Sequence, residues 1–447
     1  MEWRKLVSGK RLGISRPNPT EIGRSIYQRD YDAIVFSSAF RRLQDKAQVF
    51  PLAKSDYVRT RLTHSLEVSC VGRSLGYLVG EQLRRNKKIP DEINSSDIGN
   101  IVAAASLSHD IGNPPFGHQG EKAIQEWFST KSGKAALRGL TKKQKADFQL
   151  FEGNAQGFRI LTRLQNPDSI GGLQLTCATL SAFTKYPRPS ITNCRNHKSH
   201  KGKGFKKYGF FQKELPYFAE VAAEVGLKKR HPGCDAWHRH PFAFLVEAAD
   251  DICYAINDIE DGYRLRHLSF SEARDLLIAI PPKNELTQLD SIREEEDKIS
   301  YLRAKTIKEL IIQVSDCFNQ FEKGILSGEF DSSLTSTISA RAALKTIEEI
   351  SQDKIYASRE VLEIEIPGFD VLSGLMESLV AAVEDIHGKH ASARSQGMYR
   401  LIPKSIREKL KSEDKYSRLL RVTDFVSGMT DSYAVSLYKQ IRGISLP

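Results

Sequence analysis

The sequence predicts an all-α protein built as one continuous helical body, and three observations carry that expectation. Apolar residues recur at helical spacing in nine segments spread along the chain. Only one stretch, KIYASREVLEIEI near 355–366, alternates and is β-branched as a short β-hairpin would be, just before Pro367 and Gly368. No glycine-rich phosphate loop of the nucleotide-binding kind is present, so any phosphate must be held by side chains and metal. A chain of 447 residues can bury a large core, and in principle two or three domains.

The elements follow in order. Residues 65–85 read as an amphipathic helix, with Arg61 and His64 at its start in RTRLTHSLEV (59–68). Residues 100–110 contain IVAAASLS (101–108), a nearly uniform apolar run that suits a helix buried on all sides. It carries His109-Asp110 at its C-terminal end. Gly112, Pro114, Pro115 and Gly117 then stop the helix and force an ordered turn, and 118–128 resumes helical spacing. The polar stretch 129–147 reads as a surface excursion. Helices follow at 215–226, 240–260, 270–280, 290–326, 338–350 and 371–387, and the charge-rich part at 285–310 reads as an exposed helix or helical hairpin.

The run HDIGNPPFGHQGE (109–121) concentrates the chemistry, because it sets a metal-ligand pair and a candidate acid-base pair within thirteen residues. That density points to phosphate-ester chemistry. A divalent ion needs several imidazole and carboxylate ligands converging from different elements, with an open position for substrate or water. A buried unpaired carboxylate is costly, so Asp110 at the end of an apolar helix needs a cation. His64 offers one further ligand. The helix in HPFAFLVEAADDICYAINDIEDGY (240–263) offers others: Asp250, Tyr254 and Asp258 recur at i, i+4 and i+8, and share one face with a drift of roughly 40° per step. The bland alternatives are a capped helix end with a solvated His109, solvent-facing carboxylates, and Tyr254 as an ordinary core aromatic.

Composition bounds the rest. Lys and Arg number 66 against 55 Asp and Glu, for a net charge of +11, with basic clusters at 84–88, 142–145, 195–207 and 228–231. Such a surface steers anionic ligands and can hold nucleic acid nonspecifically, although most charge runs are solvated loops. The run 195–207 leads into KYGFF and reads as a lid over bound phosphates. The six cysteines (70, 177, 194, 234, 253, 317) are scattered, and neither a signal peptide nor a long apolar span is visible. Reduced thiols, a cytoplasmic location and no membrane contact are the expectation. Cys194 and His197 are spaced C-x2-H, and His231 and Cys234 are spaced H-x2-C; a zinc knuckle is the alternative reading, against which stands the lack of the usual fixed spacing between the pairs.

Seven strings in order then resemble one family: SSAFRRLQDKAQVF (37–50), RTRLTHSLEV, SHDIGNPPFGHQGE, FEGNAQGFRIL (151–161), TKYP (184–187), KYGFFQKE (207–214) and EAADDICYAINDIEDG. Together with LLRVTDFVSGMTDSYA (419–434), they resemble the deoxyguanosine triphosphate triphosphohydrolases of the HD superfamily. The resemblance implies the HD-domain helical fold, with a catalytic core at 1–270 and a helical region at 271–447 that completes the body and makes oligomer contacts. It implies a divalent metal ion, Mn2+ or Mg2+ with iron as a further candidate, held by His64, His109, Asp110 and Asp250. His118 and Glu121 fall on the catalytic pair, Arg61, Lys185 and Lys207 on phosphate contacts, Tyr254 and Asp258 on residues that grip the deoxyribose, and Gln48 on the nucleoside end.

The implied reaction is metal-dependent hydrolysis of dGTP, or of other deoxynucleoside triphosphates, to deoxynucleoside and tripolyphosphate, by a homo-oligomer that can be a hexamer. Arg418, Arg421 and Tyr433 would reach the active site of the same or a neighbouring subunit. Two alternatives stay open. One is a silent member that binds nucleotide or single-stranded nucleic acid; the other is an HD phosphohydrolase of a different nucleotide, a monophosphate or cyclic dinucleotide.

Overall fold

Thr60 starts the central helix, Arg61–Arg85, with a capping box: its hydroxyl accepts from Thr63 N, and the Thr63 hydroxyl accepts from Thr60 N at 3.0 Å. In the computed structural model, which describes residues 1–14, 23–49, 58–194, 201–388 and 391–444, this helix lies against Ser95–Leu107. Small residues make the approach close. Gly72, Gly76 and Gly80 line one face, and a Cβ on Gly76 would stand 2.9 Å from Ile98 O and 3.0 Å from Gly99 Cα. Ala103, Ala104 and Ala105 are fully buried, as the apolar run requires. Pro241–Arg264, capped by the His240 side chain, packs on both helices and also on the long helix Glu295–Ser327.

Two hydrophobic clusters result. One gathers the N-terminal segment, the three central helices and residues through Ile355; the other joins Trp127, Phe128, Phe148 and Phe151 to Val371, Leu372, Met376, Leu419 and Val426. The turn after His109 crosses from one to the other, since Ile111 belongs to the first cluster and Phe116 to the second. Buried charge bridges the elements as well. Arg159 donates to Glu214 at 2.6 Å and to Asp424 at 2.8 Å, all three being buried, and so ties the Gly153–Arg159 helix to Lys415–Ser427. Removing one partner of such a set leaves an uncompensated buried charge.

Several expectations change. There is no strand among the described residues, only isolated bridges. The proposed hairpin near 355–366 is instead the end of a π-helical turn, Gln352–Tyr356, followed by the α-helix Arg359–His387, which continues through Pro367. The alternation misled because it spans the junction between the clusters: Ile355 is buried in one, while Leu362 and Ile366 lie exposed with no sheet to join. Residues 366–387 are long and apolar enough to cross a membrane, contrary to the sequence reading, but half of that stretch is buried, with Leu372, Leu375 and Leu379 in the second cluster.

The stretch 129–147 is more than a surface excursion. It forms Lys131–Ala136 and enters Lys142–Gln149, where Asp147 is buried and accepts from Gln212 N at 2.9 Å and from Ser190 and Tyr416. The segment 285–310 runs into Glu295–Ser327 and buries Ile299, Leu302 and Leu310 on one side. Cys194 and Cys234 are joined as a disulfide, so the expectation of reduced thiols holds for Cys70, Cys177, Cys253 and Cys317.

The helix contact at Gly76 is directly testable. Gly76→Val should lower the midpoint of urea unfolding by an amount equivalent to about 1–3 kcal/mol through overpacking. An unchanged midpoint would contradict the close approach.

Candidate active site

Three segments each bring one candidate metal ligand to a common point. His64 sits one turn into Arg61–Arg85, His109 follows the C-cap of Ser95–Leu107, and Asp250 lies midway along Pro241–Arg264. Asp250 Oδ1 is 3.2 Å from His64 Nε2 and 3.5 Å from His109 Nε2, and the ligand atoms of the three residues lie within 4.8 Å of one another. His109 is oriented from behind, because its Nδ1 hydrogen-bonds Ser106 O at 2.7 Å and leaves Nε2 facing inward. Two imidazoles and a carboxylate at this spacing suit a divalent transition ion or Mg2+ with substrate oxygens.

Asp110, the fourth expected ligand, is close but turned. Its Oδ1 is 3.6 Å from His109 Nε2 and accepts from Asn113 Nδ2 at 2.6 Å, while Oδ2 accepts from Arg61. Burial alone would raise the Asp110 carboxyl, yet Arg61, His109 and His64 hold it down at about 2. Burial likewise would lower His109, but Asp110 and Asp250 lift it to about 9. Asp250 is held well below the usual carboxylate range by His109 and His64, against the effect of burial. The site thus concentrates carboxylate charge that calls for a cation, and its donors fit a metal.

The turn between the clusters positions the rest. Phe116 and Gly117 both have positive φ, at 60° and 55°, and a Cβ on Gly117 would meet Arg61 Nη2 at 2.4 Å. Only glycine lets the backbone turn and leaves room for that guanidinium. The next helix, Gly117–Ser129, brings His118 and Glu121 together: His118 Nδ1 is 3.0 Å from Glu121 Oε2. Glu121 is buried and anchored, with Oε1 accepting from Gly153 N at 2.7 Å, whereas His118 is 74% exposed and open to a ligand. Burial opposes ionisation of Glu121, but the His118 hydrogen bond and Lys207 keep its carboxyl below the usual value.

The two expected phosphate-binding lysines are each held by carboxylates. Lys207 Nζ is 3.0 Å from Glu152 Oε1 and 3.7 Å from Glu121 Oε2; Lys185 Nζ is 3.3 Å from Glu247 Oε1. Burial would lower both, and the carboxylates around them raise both instead, so they remain cationic. Part of the expected lid, 195–200, lies outside the described residues; Lys203, beyond it, donates to Ser333 Oγ at 2.9 Å.

Tyr254 and Asp258 share the Asp250 face of their helix, and the structure adds a partner that the sequence reading missed. Tyr356 stacks on Tyr254 with ring centroids 5.5 Å apart, and its hydroxyl donates to Asp258. Burial lifts the Asp258 carboxyl to about 8, with the Tyr356 hydrogen bond pulling the other way. A cavity of about 500 Å³ opens here, lined by Tyr254, Tyr356, Asp251, Thr335, Lys203 and Arg341. Gln48 keeps a buried Oε1 without a hydrogen-bond partner among the described residues.

Lys46 and Asp431 were also missed. Buried Lys46 donates to Asn113 O at 2.6 Å and Ser427 O at 3.0 Å, and Asp431 accepts from Ala47 N at 2.9 Å and Phe116 N at 3.0 Å. These contacts pin the turn at 110–117 to the C-terminal helices. Both lie within strings that carry the family resemblance, SSAFRRLQDKAQVF and LLRVTDFVSGMTDSYA, and that membership is the one signal that could have hinted at them. Within the chain, the arginines expected at the active site turn elsewhere: Arg421 pairs with Glu413 at 3.1 Å and Arg418 with Glu384 at 3.7 Å, while Tyr433 is largely exposed.

Comparison with known proteins shows the family. Residues 61–160 match the HD domain family, and residues 335–440 match the phosphohydrolase-associated domain. A deoxyguanosinetriphosphate triphosphohydrolase-like protein of Synechocystis sp. is 47% identical over the full length of both chains, and one of Pseudomonas aeruginosa (strain LESB58) is 37% identical, again over both full lengths. A deoxyguanosinetriphosphate triphosphohydrolase of Yersinia pestis (strain Pestoides F) is 30% identical over 93% of each chain. The chain therefore belongs to the deoxyguanosinetriphosphate triphosphohydrolase-like family, and is an HD-domain hydrolase.

Proposed function

We propose that this hydrolase splits deoxynucleoside triphosphates, dGTP among them, into deoxynucleoside and tripolyphosphate with the aid of a divalent ion. The convergence of His64, His109 and Asp250 beside the Arg61–Asp110 and His118–Glu121 pairs carries the reading. We assign the ion to His64, His109, Asp110 and Asp250, with Asp110 moving from Arg61 toward it when substrate takes the guanidinium. The bound ion supplies Lewis-acid polarisation of phosphate oxygen. Manganese, magnesium and iron all suit this donor set.

Side chains do the rest. A triphosphate carries about four negative charges, and Arg61, Lys185 and Lys207 offset them, Arg61 by bidentate contact. Water attacks the α-phosphorus and releases a proton to solvent, the bond from phosphorus to the 5′ oxygen breaks, and that oxygen must receive a proton to leave as a hydroxyl. His118 supplies it in our assignment. Its Nδ1 faces ionised Glu121, itself held by Gly153 N, so Nε2 is the nitrogen turned to the leaving group. Asp258 accepts from the sugar 3′ hydroxyl after displacing Tyr356, the Tyr254 ring leaves no room for a 2′ hydroxyl, and Gln48 lies at the nucleoside end.

We further propose that residues 1–270 form the catalytic core and that 271–447 carry homo-oligomer contacts, for which exposed Leu362 and Ile366 provide apolar surface. The substrate pool implies a cytoplasmic enzyme. The basic surface supports nonspecific contact with nucleic acid.

Incubation of the four deoxynucleotides and their ribose counterparts with Mn2+ or Mg2+ tests the reaction. Deoxynucleoside and tripolyphosphate should appear in equal amounts, with ribonucleotides spared; release of orthophosphate would point to another HD phosphohydrolase, and binding without turnover to a silent member. His118→Ala should lower kcat by about 10²–10⁴-fold and leave Mn2+ affinity unchanged. Equal loss of metal would contradict its role as acid.

Asp258 gives a pH signature. Its folded value of about 8 lies above the ordinary 3.8, so its contribution to stability is full below about 3.8 and is lost as pH rises through about 8. Asp258→Asn should therefore gain stability relative to wild type between pH 5 and pH 8, by at most about 1.4 kcal/mol per pH unit. Urea unfolding at both pH values reads this, and a constant difference would count against it.

A further inference from the structure

We propose that Cys194, Cys234 and Asp235, with His231 as fourth ligand, form a second metal site that takes a structural zinc ion when the two cysteines are reduced. The half-motifs C-x2-H and H-x2-C are 40 residues apart at their cysteines, yet the fold brings Cys194 and Cys234 to a Cα separation of 4.5 Å. Asp235 joins them. One carboxylate oxygen and both sulfurs lie within 4.8 Å of one another. Once the disulfide is reduced, two thiolates and a carboxylate so close would repel one another, and a cation among them would offset that repulsion.

The backbone is shaped for the task. Residues 231–234, His-Pro-Gly-Cys, form a tight turn closed by Cys234 N to His231 O at 2.9 Å, at the tip of the antiparallel bridge between Lys229 and Trp237. A turn that sets two ligands three residues apart is the arrangement by which short loops grip zinc. Cys234 is buried, whereas His231 is exposed on that turn with Gly233 N 3.4 Å from its Nδ1, outside the cluster of the other three ligand atoms, so it would swing in on metal binding. Asp235 is held in place by Asn193 N at 2.6 Å, and Lys143 is 3.5 Å away. His197, the other histidine of the motif pair, lies outside the described residues.

The ion would pin both ends of the stretch that carries Lys203 and Lys207. Where the proposed reaction holds, loss of zinc should raise KM for the triphosphate more than it lowers kcat; zinc binding itself does not depend on that reaction.

Cobalt is the probe that separates this site from the His64–His109–Asp250 site. The whole protein, reduced with a phosphine and freed of metal, should develop a sulfur-to-cobalt charge-transfer band in the near ultraviolet on addition of Co2+. One equivalent of Zn2+ should abolish it. The band should persist in His109→Ala, disappear in Cys234→Ser, and require more Co2+ to develop in His231→Ala. Absence of the band in the reduced wild-type protein, or its survival in Cys234→Ser, would overturn the proposal, and the wild-type titration decides even if a variant fails to fold.

Discussion

Asp250 receives two imidazoles on one carboxylate oxygen, and the architecture is organised to make that meeting possible. Its helix and those that bring His64 and His109 must cross closely. Larger residues along the Gly72, Gly76 and Gly80 face, or in place of the alanine run, would push the helices apart and shift His64 relative to His109. Packing of small residues and placement of ligands are thus one constraint. Burial raises the cost of leaving the carboxylates uncompensated, so the fold that creates the site also creates its need for positive charge.

The turn at 110–117 depends on a second feature, its position between two hydrophobic clusters. Ile111 is fixed on one side and Phe116 on the other, with Asp431 and Lys46 gripping the main chain between. The left-handed Phe116 and Gly117 pair is unfavourable in isolation and persists because both flanks are held. Arg61 occupies the space that Gly117 leaves, which couples Asp110, its hydrogen-bond acceptor, to the shape of the turn. In the proposed reaction, a substrate phosphate that draws Arg61 away would free Asp110 to complete the ligand set.

Much of this was legible in the chain itself. The alanine run, the glycine-proline turn and the i, i+4, i+8 face at Asp250, Tyr254 and Asp258 are local patterns, and each produced the element it implied. What escaped were relations between distant segments. Tyr356 lies 98 residues from the Asp258 that it contacts, and Asp431 lies 315 residues from Phe116, with no shared spacing to reveal either. The alternation at 355–366 obeyed the strand pattern, yet no second strand exists among the described residues to pair with it, so helix won. The cysteine half-motifs were visible, but only the fold could bring them together.

Manganese binding tests the central claim most directly. Titration followed by electron paramagnetic resonance should find one tight Mn2+ per chain in the wild type, its loss in Asp250→Ala, and its retention in Asp258→Asn, two turns along the same helix. Undiminished tight binding by Asp250→Ala would contradict the account, because the ion would then reside somewhere other than between His64, His109 and Asp250.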